Sequence, residues 1–312
     1  MLTRRHIRVK VMQGIYALTQ SKDDSLEKQQ KFLDVSIANV YTLYLLVLTL
    51  LLELHQMAKK RADHARKKYL ADDKEQFPNA NRFVENALLA QLAKNEALQS
   101  AISKRRLNQW DADGEYIKIL HKAMSESDVY QSYMKRSTTD YEADKEFIIN
   151  LYTQVIAPND KIYDYFEDHK LTWVDDIPIV NTFLIKQLKK ASPKSPERFF
   201  LPKLVKDDQD LLFAKDLLTK TLLNNQQWEG EIQAKTPNWD KDRIAEIDHI
   251  LLKMALCEFL HFASIPEKVT INEYLEIAKE YSTPKSSIFI NGILDKLVKE
   301  YKTTGKMKKV GR

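Results

Sequence analysis

The chain has 312 residues, enough for two domains of ordinary size or for one large helical domain. Only 6 of these residues are glycine, whereas proteins usually contain roughly 7% glycine. Nucleotide-binding α/β folds and all-β sandwiches need glycine for their tight turns and phosphate loops, so the composition argues against both classes. The 44% hydrophobic and 30% charged residues are typical of a soluble globular protein, and a mostly α-helical fold is predicted.

The cysteine content limits the chemistry and the compartment. Cys257 is the single cysteine, which excludes a disulfide within the chain and a zinc site built from several cysteines. No apolar run with a cleavage site follows the basic N-terminus, so we expect a cytoplasmic protein. Cys257 lies in an apolar stretch and is predicted to be inert core rather than a nucleophile.

One apolar stretch is long enough to raise the question of a membrane. Residues 35–52 carry no charge over 18 positions, at the lower edge of the roughly 17–25 residues that a transmembrane helix needs. Ser36, Asn39 and Thr49 interrupt the apolar character. We therefore interpret the stretch as a buried core helix, with a membrane span as the alternative.

The net charge of +5 is concentrated at the two ends of the chain. Residues 1–10 contain four basic residues and no acid, and residues 296–312 contain seven basic residues against Glu300. The body between them is therefore mildly acidic. Basic ends on an acidic body are expected of a protein that binds a polyanion, although a basic tail from 303 to 312 could equally serve only solubility.

The N-terminal basic cluster falls on a patterned helix, predicted from about Thr3 to Thr19. An apolar stripe at helical spacing consists of Ile7, Val11, Gly14, Ile15 and Leu18. A neighbouring face, predicted to point outward, consists of Arg5, Arg8, Met12 and Tyr16. Guanidinium groups bind phosphates and an aromatic ring stacks on an unpaired base, so this face is a candidate for RNA binding. The alternative is a solvated basic face with Tyr16 packed at its rim.

The middle of the chain reads as a series of helices. Helices are predicted over Leu26 to Leu70 (one long helix or two consecutive ones), Asn81 to Trp110, Glu115 to Met134 and Tyr141 to Ala157. Asp72 to Asn81, with Pro78, should break the series, and Ser137 to Asp140 should cap the start of the last.

A weak repeat is also present. Five residues recur 66 positions later: Phe147, Leu151, Thr153, Asn159 and Trp173 match Phe213, Leu217, Thr219, Asn225 and Trp239. Duplication and chance matching among similar helices are both open.

The C-terminal hundred residues have the clearest pattern. Helices are predicted over Asp240 to Phe262, from Thr270 with Glu273 as its capping-box partner, and after Thr283-Pro284. The stripe predicted to face inward on the first of these helices consists of Ile244, Ile247, Leu251, Met254 and either Cys257 or Glu258. Gly292, inside the last helix, is interpreted as a point of close helix packing.

Sequence motifs for catalysis are missing from this chain. It contains no G-x-S-x-G, H-E-x-x-H, Walker A or glycine-rich cofactor sequence, and none of its seven histidines lies three or four residues from another. We therefore expect neither an enzyme, nor a metal site, nor a cofactor.

Several motifs resemble the NusB family of transcription antitermination factors. They are Arg4-Arg5-x-x-Arg8 with Gly14-Ile15-Tyr16, then 266–273, 276–279 and 289–296 (PEKVTINE, EIAK and FINGILDK). Residues 1–20 together with 205–302 cover what looks like the whole of an ordinary member. The same fold occurs at the N-terminus of some ribosomal RNA methyltransferases, but this chain has no region suited to a methyltransferase.

The resemblance implies an all-α fold of two packed three-helix subdomains and a non-enzymatic function. It implies binding of single-stranded, boxA-like RNA together with the small-subunit ribosomal protein NusE, and it leaves homodimerisation open. The RNA-contacting residues carry over to Arg4, Arg5, Arg8, Tyr16 and Phe289, and Lys285 is added to them as a basic residue close to the expected RNA surface. The position that faces the protein partner carries over to Asp248, which we expect on an exposed flank of its helix.

This chain departs from the family in two respects. Residues 21–204 have no clear counterpart and are predicted to be a helical insertion, with a degenerate repeat unit at 141–190. Lys285 stands where well-known members carry an acid, which should favour phosphate binding and change the RNA preference. The alternative function is a helical protein–protein scaffold that binds little or no RNA.

Phe289 has two competing interpretations. It sits near the start of the last helix, after Lys285, Ser286 and Ser287, where unpaired backbone N–H groups favour an anion. Together with Ile293 and Leu297 it also forms a stripe that is typical of a core.

Overall fold

The computed structural model describes residues 1–21, 25–67, 81–138, 140–236 and 244–310. Regular structure within these ranges is helical, so the predicted all-α fold class is confirmed. The α-helices are α1 Arg4–Ser21, α2 Leu26–Lys67, α3 Ala87–Lys94, α4 Glu96–Lys104, α5 Gln109–Ala112, α6 Gly114–Glu126, α7 Asp128–Met134, α8 Tyr141–Leu151, α9 Asp160–His169, α10 Asp176–Lys190, α11 Asp208–Leu223, α12 Asn225–Lys235, α13 Glu246–His261, α14 Glu267–Tyr281 and α15 Ser286–Thr303. Short helical turns occur at Leu171–Trp173 and Glu197–Phe200, and a π-helical turn at Tyr152–Ile156 continues α8.

The chain divides into two compact units. Unit 1 consists of residues 1–37 and 205–312, and unit 2 consists of residues 38–204. The predicted core, 1–20 with 205–302, lies within unit 1, which in addition includes the first turns of α2. The predicted boundaries themselves stay a prediction.

Unit 1 is built around α13. This helix packs against α1, α11, α12, α14 and α15, and side chains on all of its faces are buried. Its sequence is apolar almost all round, as expected for a helix surrounded by others. Asp248 and Glu258 are exceptions, because both are charged residues with little or no exposed surface, and they mark where the polar contacts inside this unit lie.

The apolar stretch at residues 35–52 lies within α2. Among the described residues, α2 is the one helix long and apolar enough to cross a membrane, and 67% of its most apolar window is buried inside the protein. Two of its polar side chains have partners inside the protein: the Tyr44 hydroxyl donates to the Phe200 carbonyl at 3.0 Å, and Thr49 accepts from the indole of Trp110 at 2.9 Å. This burial favours the interpretation as a core helix.

Two helices predicted as continuous are interrupted in unit 2. The segment Asn81 to Trp110 forms α3, α4 and α5, because the side chains of Asn86 and Asn95 each cap a new helix start. Ser127 likewise ends α6 and caps α7. Asparagine and serine side chains accept hydrogen bonds from the first N–H groups of a helix and are less favourable in its interior. The prediction of unbroken helices was therefore wrong.

Two details predicted for the C-terminal region are also wrong. Helix α14 begins at Glu267, one turn before the predicted cap Thr270, and the Thr270 hydroxyl instead donates to Glu258 at 2.7 Å. A Cβ added at Gly292 would meet nothing within 4 Å, so this glycine is not at a close helix contact. The break predicted at 72–80, the start of a helix at Asp240, and residues Thr139, Trp239 and Arg312 lie outside the described residues.

Candidate nucleic-acid interface

The three N-terminal arginines lie on α1, and each binds a carboxylate of unit 1. Arg4 Nε donates to Asp210 at 2.9 Å. The other two pairs are bidentate: Arg5 with Glu273, at 3.0 and 2.9 Å, and Arg8 with Glu258, at 2.9 and 2.8 Å. The cationic face of α1 is therefore held in place by acids from α11, α13 and α14.

Arg8 and Glu258 form the buried centre of this network. Arg8 is 2% exposed and Glu258 is completely buried. The hydroxyls of Thr270 and Tyr274 also donate to the Glu258 carboxylate. Burial by itself would lower the pKa of Arg8, but the hydrogen bonds and charge of Glu258 raise it above its ordinary value, so the guanidinium stays charged. The prediction that Arg8 and Met12 point outward is wrong, since both side chains are buried.

Arg5 lies at the edge of the same network. Its hydrogen bond with Glu273 raises the pKa of Arg5 and holds the pKa of Glu273 below its ordinary value. Glu276 approaches the same guanidinium at 4.0 Å. Because the side chain of Arg5 is 39% exposed, it can be reached from solvent, but neighbouring carboxylates already compete for it.

Arg4 is the most exposed of the three arginines. Its side chain remains 45% exposed beside Asp210. The guanidinium also lies 5.2 Å from the ring centre of Phe213, and Arg8 lies at the same distance from that ring. Phe213 therefore stacks with both cations and fixes the direction of Arg4.

A cleft of about 600 Å³ opens beside these residues. One wall comes from the start of α1, and the other from the loop between α13 and α14 together with the first turns of α14. The lining residues are Thr3, Arg4, Arg5, His6, Arg8, Ser264, Ile265, Pro266, Val269 and Glu273. Burial and the charge of Arg5 lower the pKa of His6, so the positive charge of this cleft at neutral pH comes from the arginines.

The remaining predicted RNA-contacting residues lie elsewhere on unit 1. Tyr16 is 41% exposed, and it lies about 18 Å from Arg4 along α1 at 1.5 Å per residue. Lys285 is exposed just before α15. Phe289 is half-buried, whereas Ile293 and Leu297 of the same stripe are buried. The roles of these residues stay predictions.

The expectation of an exposed Asp248 is wrong. Its side chain is 4% exposed and accepts hydrogen bonds from Ser282 at 2.6 Å and Ser286 at 2.7 Å. The sequence misplaced it because α13 is buried on its flanks as well as along its predicted stripe. This carboxylate also lies beside the start of α15, where the expected anion site would bring a phosphate close to a negative charge.

Sequence reasoning missed several residues that shape this surface. Glu258 was recognised as inward-facing but not as the partner of Arg8, and neither Phe213 nor Tyr274 was connected with the arginines. The sequence did contain a signal for Glu258, because an acid inside an otherwise apolar helix needs a buried cation or hydrogen-bond donors. No sequence signal pairs that acid with a residue 250 positions earlier.

The described residues show no arrangement suited to a metal ion or a thiol reaction. No group of three or more His, Cys, Asp or Glu side chains in those ranges could hold a metal. Cys257 is buried, and burial raises the pKa of its thiol to about 12. A thiol of this kind is a poor nucleophile at neutral pH.

Comparison with known proteins identifies relatives of the C-terminal region. A sequence model of the NusB family matches residues 179–299, which confirms the resemblance seen in the motifs. The chain is 41% identical over 100 residues to the transcription antitermination protein NusB of Salinibacter ruber, 44% over 103 residues to that of Chloroherpeton thalassium, and 47% over 72 residues to that of Clostridium kluyveri. No solved structure matches the chain.

These similarities cover only part of each protein. They span 32%, 32% and 23% of this chain, and 62%, 49% and 46% of the respective relatives. The chain therefore joins a region like those proteins to additional helical sequence on its N-terminal side. The family match begins at residue 179, in α10 of unit 2.

Proposed function

We propose, from the match of residues 179–299 to the NusB family, that the chain is a non-enzymatic transcription antitermination factor. It binds boxA-like single-stranded RNA together with the small-subunit ribosomal protein NusE. The antitermination role is supported by the similarity to transcription antitermination proteins. The RNA-binding role rests on the surface of unit 1.

The observation that carries the proposal is the ordered cationic edge of α1. Arg4 projects beside the cleft with 45% of its side chain exposed, held by Asp210 and by stacking on Phe213. Its direction is fixed before RNA arrives, so little side-chain entropy is lost when a phosphate binds. An exposed guanidinium on a rigid helix is well suited to a phosphate group.

The acids of the network shape this surface as much as the arginines do. Arg8 is sealed inside the protein and acts by positioning α1, while Arg5 is shared with Glu273. We therefore assign phosphate contact to Arg4 first and to Arg5 second. Tyr16 and Phe289 are the proposed stacking surfaces for bases.

Binding of the ribosomal protein needs a surface other than the Asp248 carboxylate. That carboxylate is buried and accepts hydrogen bonds from Ser282 and Ser286. It therefore makes no direct contact with NusE in this proposal. Its proposed part is to fix the start of α15, next to Lys285.

The test is titration of the full chain with fluorescently labelled boxA-like RNA at several salt concentrations, with and without NusE. Arg4→Ala should weaken binding and reduce the slope of log affinity against log salt by about 0.7. Arg198→Ala is the matched control, because Arg198 is an exposed arginine of unit 2 and should leave the slope unchanged. If the wild-type chain does not bind RNA in either condition, the proposal fails and the helical scaffold is favoured.

A further inference from the structure

The C-terminal tail turns back onto unit 1 at Gly305. This glycine has a φ of +66°, a left-handed backbone conformation that residues with a Cβ rarely adopt. The Gly305 N–H donates to the Lys302 carbonyl and the Lys306 N–H donates to the Tyr301 carbonyl. This pattern ends α15 and reverses the chain direction.

The returning tail is fastened to the end of α13. The ammonium group of Lys309 donates to the carbonyl oxygens of Glu258 and Phe262, both at 2.9 Å. One residue later, the Val310 N–H donates to the Ala263 carbonyl at 3.0 Å. A cation at the carboxyl end of a helix is favourable both for the dipole and for the last carbonyls.

The two basic ends of the chain therefore meet at one residue. The side chain of Glu258 holds Arg8 of α1, and its backbone carbonyl holds Lys309 of the tail. Ala263, which pairs with Val310, is followed directly by Ser264 to Pro266, which line the arginine cleft. Residues about 300 positions apart in sequence thus belong to one surface.

We propose that residues 305–310 are a strap that extends the cationic surface beside the arginine cleft and contacts the phosphate backbone of single-stranded RNA through Lys308. The inference rests on the proposed RNA-binding function and adds a second contact region to it. Lys308 is exposed, between the half-buried Met307 and Lys309. The hydrogen bonds of Lys309 to the end of α13 fix the position of the neighbouring Lys308. The ammonium group of Lys309 itself caps that helix.

Charges around the strap single out Lys308. Lys306 binds Glu231 at 2.6 Å, and Lys302 binds Glu267 at 2.7 Å. These ion pairs neutralise part of the positive charge at the end of α15. The strap thus presents Lys308 as its outward cation, and Arg4 is the most exposed cation of the cleft that Ser264 to Pro266 line.

The test uses the same RNA titration of the full chain. Lys308→Ala should weaken RNA binding about fivefold at 0.1 M salt and reduce the salt slope by about 0.7, as the loss of one phosphate contact to a single strand does. Lys296→Ala is the matched control, because it removes the same charge from an exposed position on α15 and should change neither quantity. Equal effects of the two variants would mean that only net charge matters, and would overturn the strap.

A second variant separates a placed strap from a loose basic tail. Gly305→Val keeps every charge but opposes the left-handed turn, so it should reduce the salt slope by the same amount as Lys308→Ala. If Gly305→Val binds RNA like the wild type, the placement of the tail is irrelevant and the proposal is wrong. If the wild-type chain binds no RNA, the proposed function fails first, whereas normal binding by Lys308→Ala overturns the strap alone.

Discussion

The two units place the same pair of residue types in similar positions and give them different partners. Asp210 and Phe213 of unit 1 lie 66 positions after Asp144 and Phe147 of unit 2, and all four are buried. In unit 1, Asp210 binds Arg4, and Phe213 stacks with Arg4 and Arg8. In unit 1 the repeated aspartate and phenylalanine therefore contact the cations Arg4 and Arg8.

In unit 2 the corresponding residues contact a tyrosine and the start of α3. Asp144 accepts from the Tyr133 hydroxyl and from the Ala87 N–H, both at 2.7 Å. The ring of Phe147 stacks on Tyr133 at 3.8 Å between ring centres. The comparison shows that a repeated helix pattern sets burial, whereas the segment packed against it decides which groups the carboxylate and the ring contact. Whether the repeat is a duplication stays a prediction.

The largest effect is expected from breaking the ionic core of unit 1. Arg8→Met should lower the free energy of unfolding by roughly 3–5 kcal/mol, because Glu258 then remains buried with no cation. Denaturant unfolding measures the loss, and hydrogen exchange should show it in the α1 and α13 peptides. The double variant Arg8→Met with Glu258→Leu should recover most of this stability, and failure to recover would show that the ion pair is not the cause.

A smaller effect is expected from the buried carboxylate of unit 2. Asp144→Ala removes the acceptor of the Tyr133 hydroxyl and the Ala87 N–H, and should cost about 1–3 kcal/mol. Asp210→Ala is the matched variant of unit 1. It should cost at most about 1 kcal/mol, because its partner Arg4 is half exposed and can be solvated. Equal losses in the two variants would contradict the distinction drawn between the units.

Substitution of Phe289 tests whether its ring is a stacking surface for a base in unit 1. If its half-buried ring stacks on a base, Phe289→Ala should lose about 1–3 kcal/mol of RNA binding with little change in melting temperature. Calorimetry and RNA titration of the same variant decide the matter. A stability loss of about 3–5 kcal/mol, typical of a fully buried phenylalanine, would assign the ring to the core instead.

The smallest effect concerns pH and the Arg5–Glu273 pair. Arg5 holds the pKa of Glu273 below its ordinary value of 4.5, so the folded protein binds this proton less readily than the unfolded chain. The pair therefore contributes stability above pH 4.5, and this contribution is lost as the pH falls through the lower, folded-state pKa. Arg5→Gln should make the acid limb of the stability profile shallower, and an unchanged limb would argue against the pair.

Periodicity in the sequence was enough to predict several features of unit 1. The α1 stripe of Ile7, Val11 and Ile15 and the buried Leu251 and Met254 of α13 follow from helical spacing. The family resemblance came from local motifs, which need no knowledge of distant contacts. The interruptions at Asn86, Asn95 and Ser127 were missed. A side chain that caps a new helix is favoured over a continuous helix only where the turn that follows packs against a different part of the protein.

The amino-acid sequence by itself determined the helical class, the basic character of both ends and the apolar faces of α1 and α13, since these depend on residue types and on spacing within one helix. Only the tertiary structure decided what the charges do. Of three arginines within five residues, Arg8 is sealed against Glu258, Arg5 is shared with Glu273, and Arg4 remains half exposed. Burial and ion pairing depend on which distant helix faces each position, and such long-range contacts are not encoded in the local pattern.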